Sequence, residues 1–325
     1  MGIRHKSKRI LDSLLGTRKE HPPLPRFLQL EHTTSCNFNC ITCSRKTFAH
    51  RLNKNLTLDQ FKAILQNFPD LEMINMTGMG ESFLNPDLLQ MLEYSKNKNI
   101  ATVIGTNGSI IDKHLDTLKY IERLGFSLDS SDPKSYENIR PGGDFNKIID
   151  NIKKVVEDRN SNKYQMEINI NSVICDANYM QIPTLAGLAS ELGVDFIGFV
   201  EAENWEIASE PGYKSEKAFI TKAREKHDEI KNLIKSTREQ YPKLRIVHTS
   251  TDKLKPTCMW VFQWAYITVD GYAVPCCRRP NPQIFNFGNV FETPFKEIWN
   301  SKKYVDFRRS MNKNLLNPIC DDCPD

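Results

Sequence analysis

Three cysteines near the start of the chain are the strongest chemical signal in the sequence. Cys36, Cys40 and Cys43 are separated by three and then two residues. Thiolates bind zinc, but a structural zinc site takes four protein ligands. Three thiolates on a cubic 4Fe–4S cluster leave one iron without a protein ligand, and that iron can bind a small chelating molecule. Zinc completed by His32 or His50, or free buried thiols, are the alternatives.

A second group of cysteines near the C-terminus predicts another metal centre. Four thiols could close a four-ligand site: Cys258, Cys276, Cys320 and Cys323. Zinc and iron–sulfur clusters both accept four thiolates, so spacing alone does not separate them. Cys277 is a spare thiol, an alternative ligand or a hydrogen-atom donor. Cys175 lies in an apolar strand-end context and is interpreted as a core residue.

Glycines and polar residues follow several of the predicted strands. Gly78, Gly80 and Glu81 form a glycine-rich loop after the second strand. Glycine permits close backbone approach to a ligand, and a carboxylate can pair with an ammonium group. Taken alone, this segment is also typical of a structural turn. Four further candidates stand at strand ends or beyond them: Asn107, Ser127, Asp129 and Arg140.

These residues need elements to position them, and the pattern of the chain alternates between strands and helices. Six strands are predicted: Phe27–Glu31, Met73–Met76, Thr102–Gly105, Leu124–Leu128, Met166–Asn171 and Phe196–Val200. Helical patterns lie between them, near 57–66, 86–97, 112–122, 146–158 and 181–192. Serial strands with helical crossovers pair in parallel, and six such units favour an open α/β barrel.

The alternation stops after a long charged helix predicted over 213–239. A β-hairpin over 265–274 follows, with Asp270-Gly271 as a strong two-residue turn, and then helices near 294–302 and 304–311. We therefore predict three parts: a basic N-terminal helix and lead-in (1–26), a partial (β/α)6 barrel (27–239) and a small cysteine-bearing α+β domain (240–325).

Composition narrows the class of protein. The chain has 325 residues, 39% of them hydrophobic and 26% charged, which provides for a sizeable core. The net charge of +4 gives no argument for a nucleic-acid partner. No run of about 18 apolar residues and no signal-peptide pattern is present, so we expect a cytoplasmic protein without a transmembrane segment.

The first cysteine cluster and the glycine-rich loop together resemble the radical S-adenosylmethionine (SAM) enzymes. That resemblance implies a SAM-binding 4Fe–4S cluster on Cys36, Cys40 and Cys43. It further implies that the other candidates contact SAM: Gly78, Gly80, Glu81, Asn107, Ser127, Asp129 and Arg140. Ser82 departs from the proline that usually ends the family's loop.

The C-terminal segment resembles the SPASM and shorter twitch domains of the same enzymes. The resemblance rests on the stretches 270–277 and 288–299, and it implies an auxiliary 4Fe–4S cluster on Cys258, Cys276, Cys320 and Cys323. The full SPASM pattern carries further cysteines beyond the last pair, and the absence of any after Cys323 favours a single-cluster, twitch-like version. Structural zinc is the alternative.

Radical chemistry is the function that this resemblance implies. The reduced cluster cleaves SAM to a 5′-deoxyadenosyl radical, which takes a hydrogen atom from the substrate. A fully ligated auxiliary cluster suits electron transfer, so we expect an oxidoreductase similar to the twitch-type aminocyclitol dehydrogenase, which converts an alcohol to a ketone. Such a reaction also needs a base, for which the candidates are Arg278, Arg279, Glu201, Glu203 and Tyr213.

Three other functions stay open from the sequence. One is maturation of a ribosomally made peptide or protein, one is cofactor or surface-sugar biosynthesis, and one is a non-enzymatic iron–sulfur electron carrier. The substrate is accordingly a small molecule or a peptide, and the reductant a flavodoxin- or ferredoxin-type protein. The glycine-rich loop argues against the carrier, because a carrier needs no open iron.

Overall fold

The computed structural model describes residues 18–47, 52–202, 226–249, 258–313, 315 and 317–320, and within them one sheet of ten strands. The strands are β1 (Phe27–Leu30), β2 (Met73–Asn75), β3 (Ala101–Thr106), β4 (Arg123–Ser127), β5 (Glu167–Ile174), β6 (Phe196–Glu201), β7 (Arg245–Thr249), β8 (Trp264–Ile267), β9 (Tyr272–Val274) and β10 (Gly288–Asn289). Their spatial order is β10-β9-β8-β1-β2-β3-β4-β5-β6-β7.

Strands β1 to β6 pair in parallel and in sequence order, which confirms the six predicted strands and the α/β class. The parallel series continues one strand further than predicted, because β7 pairs in parallel with β6. The predicted hairpin is present as β8 and β9. Strand β8 also pairs in parallel with β1, so the C-terminal segment continues the barrel sheet at its other edge.

Helices cover the outer face of the sheet. They are α1 (Leu58–Leu65), α2 (Leu88–Asn97), α3 (Pro133–Ile139), α4 (Phe145–Asn162), α5 (Ile182–Glu191), α6 (His227–Gln240), α7 (Trp260–Gln263), α8 (Phe295–Trp299) and α9 (Lys302–Asn312). Among the described residues, none of these helices is both long and apolar enough to cross a membrane. The predicted basic helix within 1–16 and residues 213–225 of the long charged helix lie outside the described residues.

The α-helix predicted over 112–122 is wrong. The crossover between β3 and β4 consists instead of two 3₁₀ segments, Ile111–Lys113 and Leu115–Tyr120. Thr117 Oγ1 donates to the His114 carbonyl at 2.6 Å. A side chain thus satisfies a carbonyl between the two short turns, and short 3₁₀ turns are common connectors of this kind.

Side chains alternate strictly between the two faces of the barrel strands, as expected for a strand period of two. Most of the outward residues are aliphatic or aromatic and form the core beneath the helices, among them Leu28, Ile74, Ile104, Leu124, Ile168 and Ile197. Many of the inward residues are small or polar, among them Gln29, Asn75, Gly105, Gly125, Ser127, Asn169, Asn171 and Gly198. We call the space that these inward residues surround the lumen.

Charged and aromatic side chains close the lumen at the N-terminal ends of the strands. Glu167 pairs with Arg123 at 2.7 Å and with Arg245 at 2.9 Å, and each of the three is the first residue of its strand. Phe27 stacks on Trp264 with ring centroids 5.1 Å apart. The carboxyl ends of the strands, where loops supply functional groups in barrels of this kind, carry the candidate residues.

Candidate functional site

The loop that follows β1 carries the first three cysteines, and each sulfur faces an N–H donor. The amide of Phe38 donates to Cys36 Sγ at 3.4 Å, and the amide of Arg45 donates to Cys43 Sγ at 3.4 Å. Arg140 Nη1 lies 3.7 Å from Cys40 Sγ. Donors of this kind stabilise the thiolate form, so the loop is built for sulfurs that carry negative charge.

Backbone bonds to the segment after α3 hold the cysteine loop in place. The amide of Asn39 donates to the Pro141 carbonyl at 2.9 Å, and the amide of Ile41 donates to the Ile139 carbonyl at 3.0 Å. Gly142 follows this segment with φ at +99°, a conformation that favours glycine. Arg140 therefore reaches the sulfur of Cys40 because its own backbone is tied to the same loop.

The donor chemistry of this loop fits an iron–sulfur cluster. Burial raises the pKa of Cys36, and it raises the pKa of Cys40 to about 11. Metal must therefore displace protons when it binds. Within the described residues no three His, Cys, Asp or Glu side chains are placed to hold a single metal ion; a cubic cluster instead takes each thiolate on a different iron.

His32, one of the residues considered for zinc, is engaged elsewhere. Its Nδ1 lies 3.2 Å from Asn85 Nδ2, and the ring is buried. Burial lowers the pKa of His32 to about 4. His50, the other residue considered, lies outside the described residues.

The glycine-rich loop packs against the start of the cysteine loop. A Cβ added to Gly80 would lie 2.6 Å from the Thr33 carbonyl oxygen and 2.7 Å from that of Ser35. A Cβ added to Gly78 would lie 2.5 Å from Glu31 Cγ. The two glycines thus have a packing reason of their own, and their contact with SAM stays a prediction.

Glu81 is buried and accepts three hydrogen bonds from protein. Thr106 Oγ1 donates to its Oε1 at 2.7 Å, as does the Phe83 amide at 3.2 Å, and the Asn107 amide donates to its Oε2 at 2.6 Å. Burial raises the pKa of Glu81, and these donors offset part of that rise. The carboxylate joins the loops after β2 and β3, which brings two of the predicted site residues together.

Asn107 also joins its loop to the cysteine loop. Its Nδ2 donates to Asn37 Oδ1 at 2.9 Å, and Asn37 Nδ2 donates to Ser109 Oγ at 2.9 Å. Sequence reasoning missed Asn37, although an amide between two cysteines predicted to bind metal is a usable signal. These hydrogen bonds fix the position of the cysteine loop relative to the loop after β3.

Asp129 and Arg140 form a buried ion pair beside the same loop. Arg140 Nε lies 2.7 Å from Asp129 Oδ2. Burial lowers the pKa of Arg140, but Asp129 and Cys40 outweigh burial and the net shift is upward. Asp129 also accepts from the Val173 amide at 2.7 Å. The cation is thereby fixed against Cys40.

Two residues at strand ends complete the surroundings of the site. Ser127, a predicted SAM contact, is half-buried and faces the lumen at the end of β4. Glu31, which sequence reasoning missed, is fully buried directly after β1. Its carboxylate accepts from the amides of Met79 and Val269, both at 3.3 Å, and so joins the glycine-rich loop to the segment after β8. An acidic residue directly after an apolar strand was the available signal.

The second cysteine group is only partly described. Cys276 is buried, Cys258 and Cys320 are half-buried, and Cys323 lies outside the described residues. Arg279, which is 2% exposed, donates from Nε to the Ile319 carbonyl, next to Cys320. That bond ties the segment after the hairpin to the tail. A four-cysteine site there stays a prediction.

Glu201, one of the candidate bases, does not face the lumen. It is buried at the end of β6, where Oε1 lies 3.0 Å from His227 Nδ1 and 2.9 Å from His248 Nε2. His227 is the first residue of α6, and His248 lies on β7, the strand next to β6. Glu203 and Tyr213 lie outside the described residues.

Comparison with known proteins agrees with this geometry. Residues 30–166 match the family model described as the radical SAM superfamily, and residues 258–324 match SPASM, an iron–sulfur cluster-binding domain. The two matches together span more than half of the chain. The second match is to SPASM, and the shorter twitch version stays a prediction.

Relatives of known function match over most of the chain. A tungsten-containing aldehyde ferredoxin oxidoreductase cofactor-modifying protein of Pyrococcus furiosus is 27% identical, and the match covers 92% of this chain and 87% of the relative. The AdoMet-dependent heme synthase of Methanosarcina barkeri is 22% identical, with 92% and 88% covered.

Solved structures share the fold. Streptococcus suis SuiB bound to the precursor peptide SuiA has a TM-score of 0.72 and 19% identity, covering 94% of this chain and 71% of SuiB. The structure of anSMEcpe with bound AdoMet and the Cp18Cys peptide has a TM-score of 0.66 and 18% identity, covering 88% and 84%.

Proposed function

Because this chain belongs to the radical SAM superfamily and carries a C-terminal SPASM iron–sulfur domain, we propose that it oxidises its substrate from an alcohol to a ketone. When bound, the cofactors supply a 5′-deoxyadenosyl radical that removes a substrate hydrogen atom, and an auxiliary cluster that accepts the released electron. The observation that carries the proposal is the cysteine loop, whose three sulfurs each face an N–H donor.

The residues of the chain have distinct tasks in this proposal. Cys36, Cys40 and Cys43 hold the SAM-binding cluster, and Arg140 supplies positive charge to the sulfur of Cys40. Glu81 ties the glycine-rich loop, which would hold SAM, to the loop after β3 through its bonds to Thr106 and the Asn107 amide. Glu81 and Arg140 are buried, and the exclusion of water around them strengthens their electrostatic interactions.

Ser127, Asp129 and Asn107 are proposed as further SAM contacts. The hydroxyl of Ser127 faces the lumen, whereas Asp129 acts through the buried pair with Arg140. The auxiliary cluster is assigned to the cysteines of the C-terminal domain, and a flavodoxin- or ferredoxin-type protein is proposed as the reductant. Glu201 is occupied by His227 and His248, so the base for the alcohol proton is not assigned to it.

Iron counting and product analysis test this proposal. Two cubic clusters predict about eight irons per chain after anaerobic reconstitution, and changing Cys36, Cys40 and Cys43 together to Ala should leave about four. The wild type with SAM and a reductant should release 5′-deoxyadenosine, and the triple variant should release none. Cys175→Ala is the matched control, because Cys175 is buried in the core. Full iron in the triple variant would contradict the proposal.

Modification of an organic or metal cofactor is the second candidate. It is favoured by two relatives that match over most of this chain, a cofactor-modifying protein and a heme synthase. Product analysis separates the two candidates: a ketone accompanied by 5′-deoxyadenosine supports the first, and a modified tungsten-enzyme cofactor or a heme supports the second. Peptide maturation is suggested by the fold shared with two peptide-bound structures, SuiB and anSMEcpe.

A further inference from the structure

A buried tyrosine beside the cysteine loop has no task in the site described above. Tyr136 lies on α3 and is fully buried. Its hydroxyl oxygen has no hydrogen-bond partner within the part of the chain that the structure describes. Buried tyrosine hydroxyls usually have a partner, so an orphaned one calls for an explanation, of which a redox role or a bound group is one.

Neighbouring groups place the hydroxyl end of the tyrosine ring at the cysteine loop. A Cβ added to Gly143 would lie 2.7 Å from Tyr136 Cε1, the ring carbon next to the one that carries the hydroxyl, and 3.2 Å from Phe38 Cε2. Phe145 holds the ring from another side, with ring centroids 5.7 Å apart. Because Phe38 stands between two of the three cysteines in the sequence, the hydroxyl end of the ring lies beside the loop that they form.

The helix that carries Tyr136 brings a second group to the same loop. Arg140 follows four residues later, and side chains at this spacing lie on the same face of a helix. The Arg140 amide donates to the Tyr136 carbonyl at 2.8 Å, which closes that turn. Arg140 Nη1 lies 3.7 Å from Cys40 Sγ. The tyrosine side chain therefore lies on the face of α3 that meets Cys40.

The hydroxyl is a hydrogen-bond donor at neutral pH. Burial raises the pKa of Tyr136, and negative charge at Asp129 and Cys40 adds to the rise, which outweighs the opposite effect of Arg140. The phenol therefore keeps its proton and can donate one hydrogen bond. The two phenylalanine rings beside it offer no strong acceptor, whereas a 4Fe–4S cluster on the neighbouring cysteines brings sulfur atoms that accept hydrogen bonds.

We infer that the Tyr136 hydroxyl donates a hydrogen bond to a sulfur atom of the SAM-binding cluster on its Cys40 side. A donor to sulfur stabilises the reduced cluster, which carries one more negative charge, and so makes the cluster easier to reduce. Tyr136 acts through the cluster and is therefore a positioning residue. The inference rests on the proposed function, because it needs the cluster on Cys36, Cys40 and Cys43 that this function uses.

An EPR redox titration of the reconstituted protein tests the inference with Tyr136→Phe, which removes the hydroxyl and keeps the ring. The titration follows the cluster whose signal changes when SAM is added. At a fixed potential, the ratio of reduced to oxidised cluster should fall about fivefold in this variant, the worth of about one hydrogen bond. Tyr304→Phe is the matched control and should leave the ratio unchanged, because Tyr304 is also buried but stacks on Phe287 in the C-terminal domain.

A measurement on the wild type makes the test independent of how well the variant folds. Protein that contains tyrosine isotopically labelled at the hydroxyl-bearing ring carbon is reconstituted and reduced. Pulsed EPR should show a coupling between the reduced cluster and that carbon, because a hydrogen bond to sulfur brings the end of the ring against the cluster. Tyr136→Phe with the same label should lose this coupling, and Tyr304→Phe should keep it.

Three results would overturn the inference: the labelled wild type shows no coupling, Tyr136→Phe is reduced as readily as the wild type, or Tyr304→Phe shows the same fall in reduction as Tyr136→Phe. Formation of 5′-deoxyadenosine and of a ketone is measured separately. If the coupling is present and no ketone forms, the proposed oxidation is wrong and the role of Tyr136 stands. If both products form without the coupling, only the role of Tyr136 is wrong. A wild type that binds no iron would overturn both.

Discussion

Gly80→Ala is the substitution whose effect follows most directly from the geometry of the site. The added Cβ would lie 2.6 Å from the Thr33 carbonyl oxygen and 2.7 Å from that of Ser35, whereas ordinary contact begins at 3.4 Å. Both neighbours are backbone atoms, so no side-chain rotation relieves the clash. The two loops must separate by about 0.8 Å.

The separation should reach the cysteines that we propose as ligands of the SAM-binding cluster. Ser35 precedes Cys36, and its carbonyl accepts the Glu81 amide at 2.7 Å. Overpacking costs about 1–3 kcal/mol, and the strained hydrogen bond adds about 1 kcal/mol. We expect a loss of about 2–4 kcal/mol in the free energy of unfolding, together with loss of the SAM-binding cluster and hence about four of about eight irons.

Iron analysis after anaerobic reconstitution, denaturant unfolding and 5′-deoxyadenosine release measure these effects. Gly187→Ala is the matched control, because its added Cβ would meet only Tyr241 Oη, the tip of a side chain, at 2.7 Å. Alanine also favours the helix interior by about 1 kcal/mol, so this control should keep its iron and its stability. If Gly80→Ala kept full iron and wild-type product release, the claim that the loops are packed to backbone contact would be wrong.

Three further predictions concern Arg140, Arg279 and His32. Arg140→Met should make the SAM-binding cluster harder to reduce, because the sulfur of Cys40 loses its cationic donor. We expect about tenfold fewer clusters to be reduced at a fixed potential. An EPR redox titration measures this, with Arg140→Lys as the control. Arg279→Met leaves the Ile319 carbonyl without its donor and should lower stability by about 1–3 kcal/mol and deplete auxiliary iron only; equal loss from both centres would contradict it. Burial lowers the pKa of His32 from 6.5 to about 4. As the pH falls, His32 is therefore protonated in the unfolded chain before it is protonated in the folded protein. The free energy of unfolding, which is highest above pH 6.5, should fall by about 3 kcal/mol as the pH drops towards 4. Urea unfolding of wild type and His32→Gln across that window should show the smaller pH dependence in the variant.

Much of the fold could be predicted from local pattern. The outward residues of each strand are apolar, and helical periods separate the strands, so six strands and most crossovers were predicted where the structure has them. Asp270-Gly271 predicted the hairpin for the same local reason: Gly271 adopts φ of +84°. The exception is 112–122, where the residue pattern predicted an α-helix. The structure has two short 3₁₀ turns there instead, because the connection between β3 and β4 is short.

The missed elements depend on contacts distant in sequence. β7 is a short strand between a charged helix and residues outside the described part, and only its pairing with β6 defines it. β8 is recognisable as half of a hairpin, yet nothing in its residues indicates that its other edge pairs with β1. Which strands pair when they lie far apart along the chain is determined by how the whole sheet curves and packs, not by the residues of one strand.

The sequence by itself determined the chemistry of this protein, because thiol spacing in a single loop is a local property: Cys36, Cys40 and Cys43 predict one open cluster wherever the loop is placed. Only the tertiary structure decided what surrounds that loop. It put Arg140 against Cys40, gave Gly80 a backbone neighbour, directed Glu201 away from the lumen and left the buried hydroxyl of Tyr136 without a partner among the described residues. Those facts depend on which strands are neighbours and which face each residue occupies, and the chain acquires both only when the barrel forms.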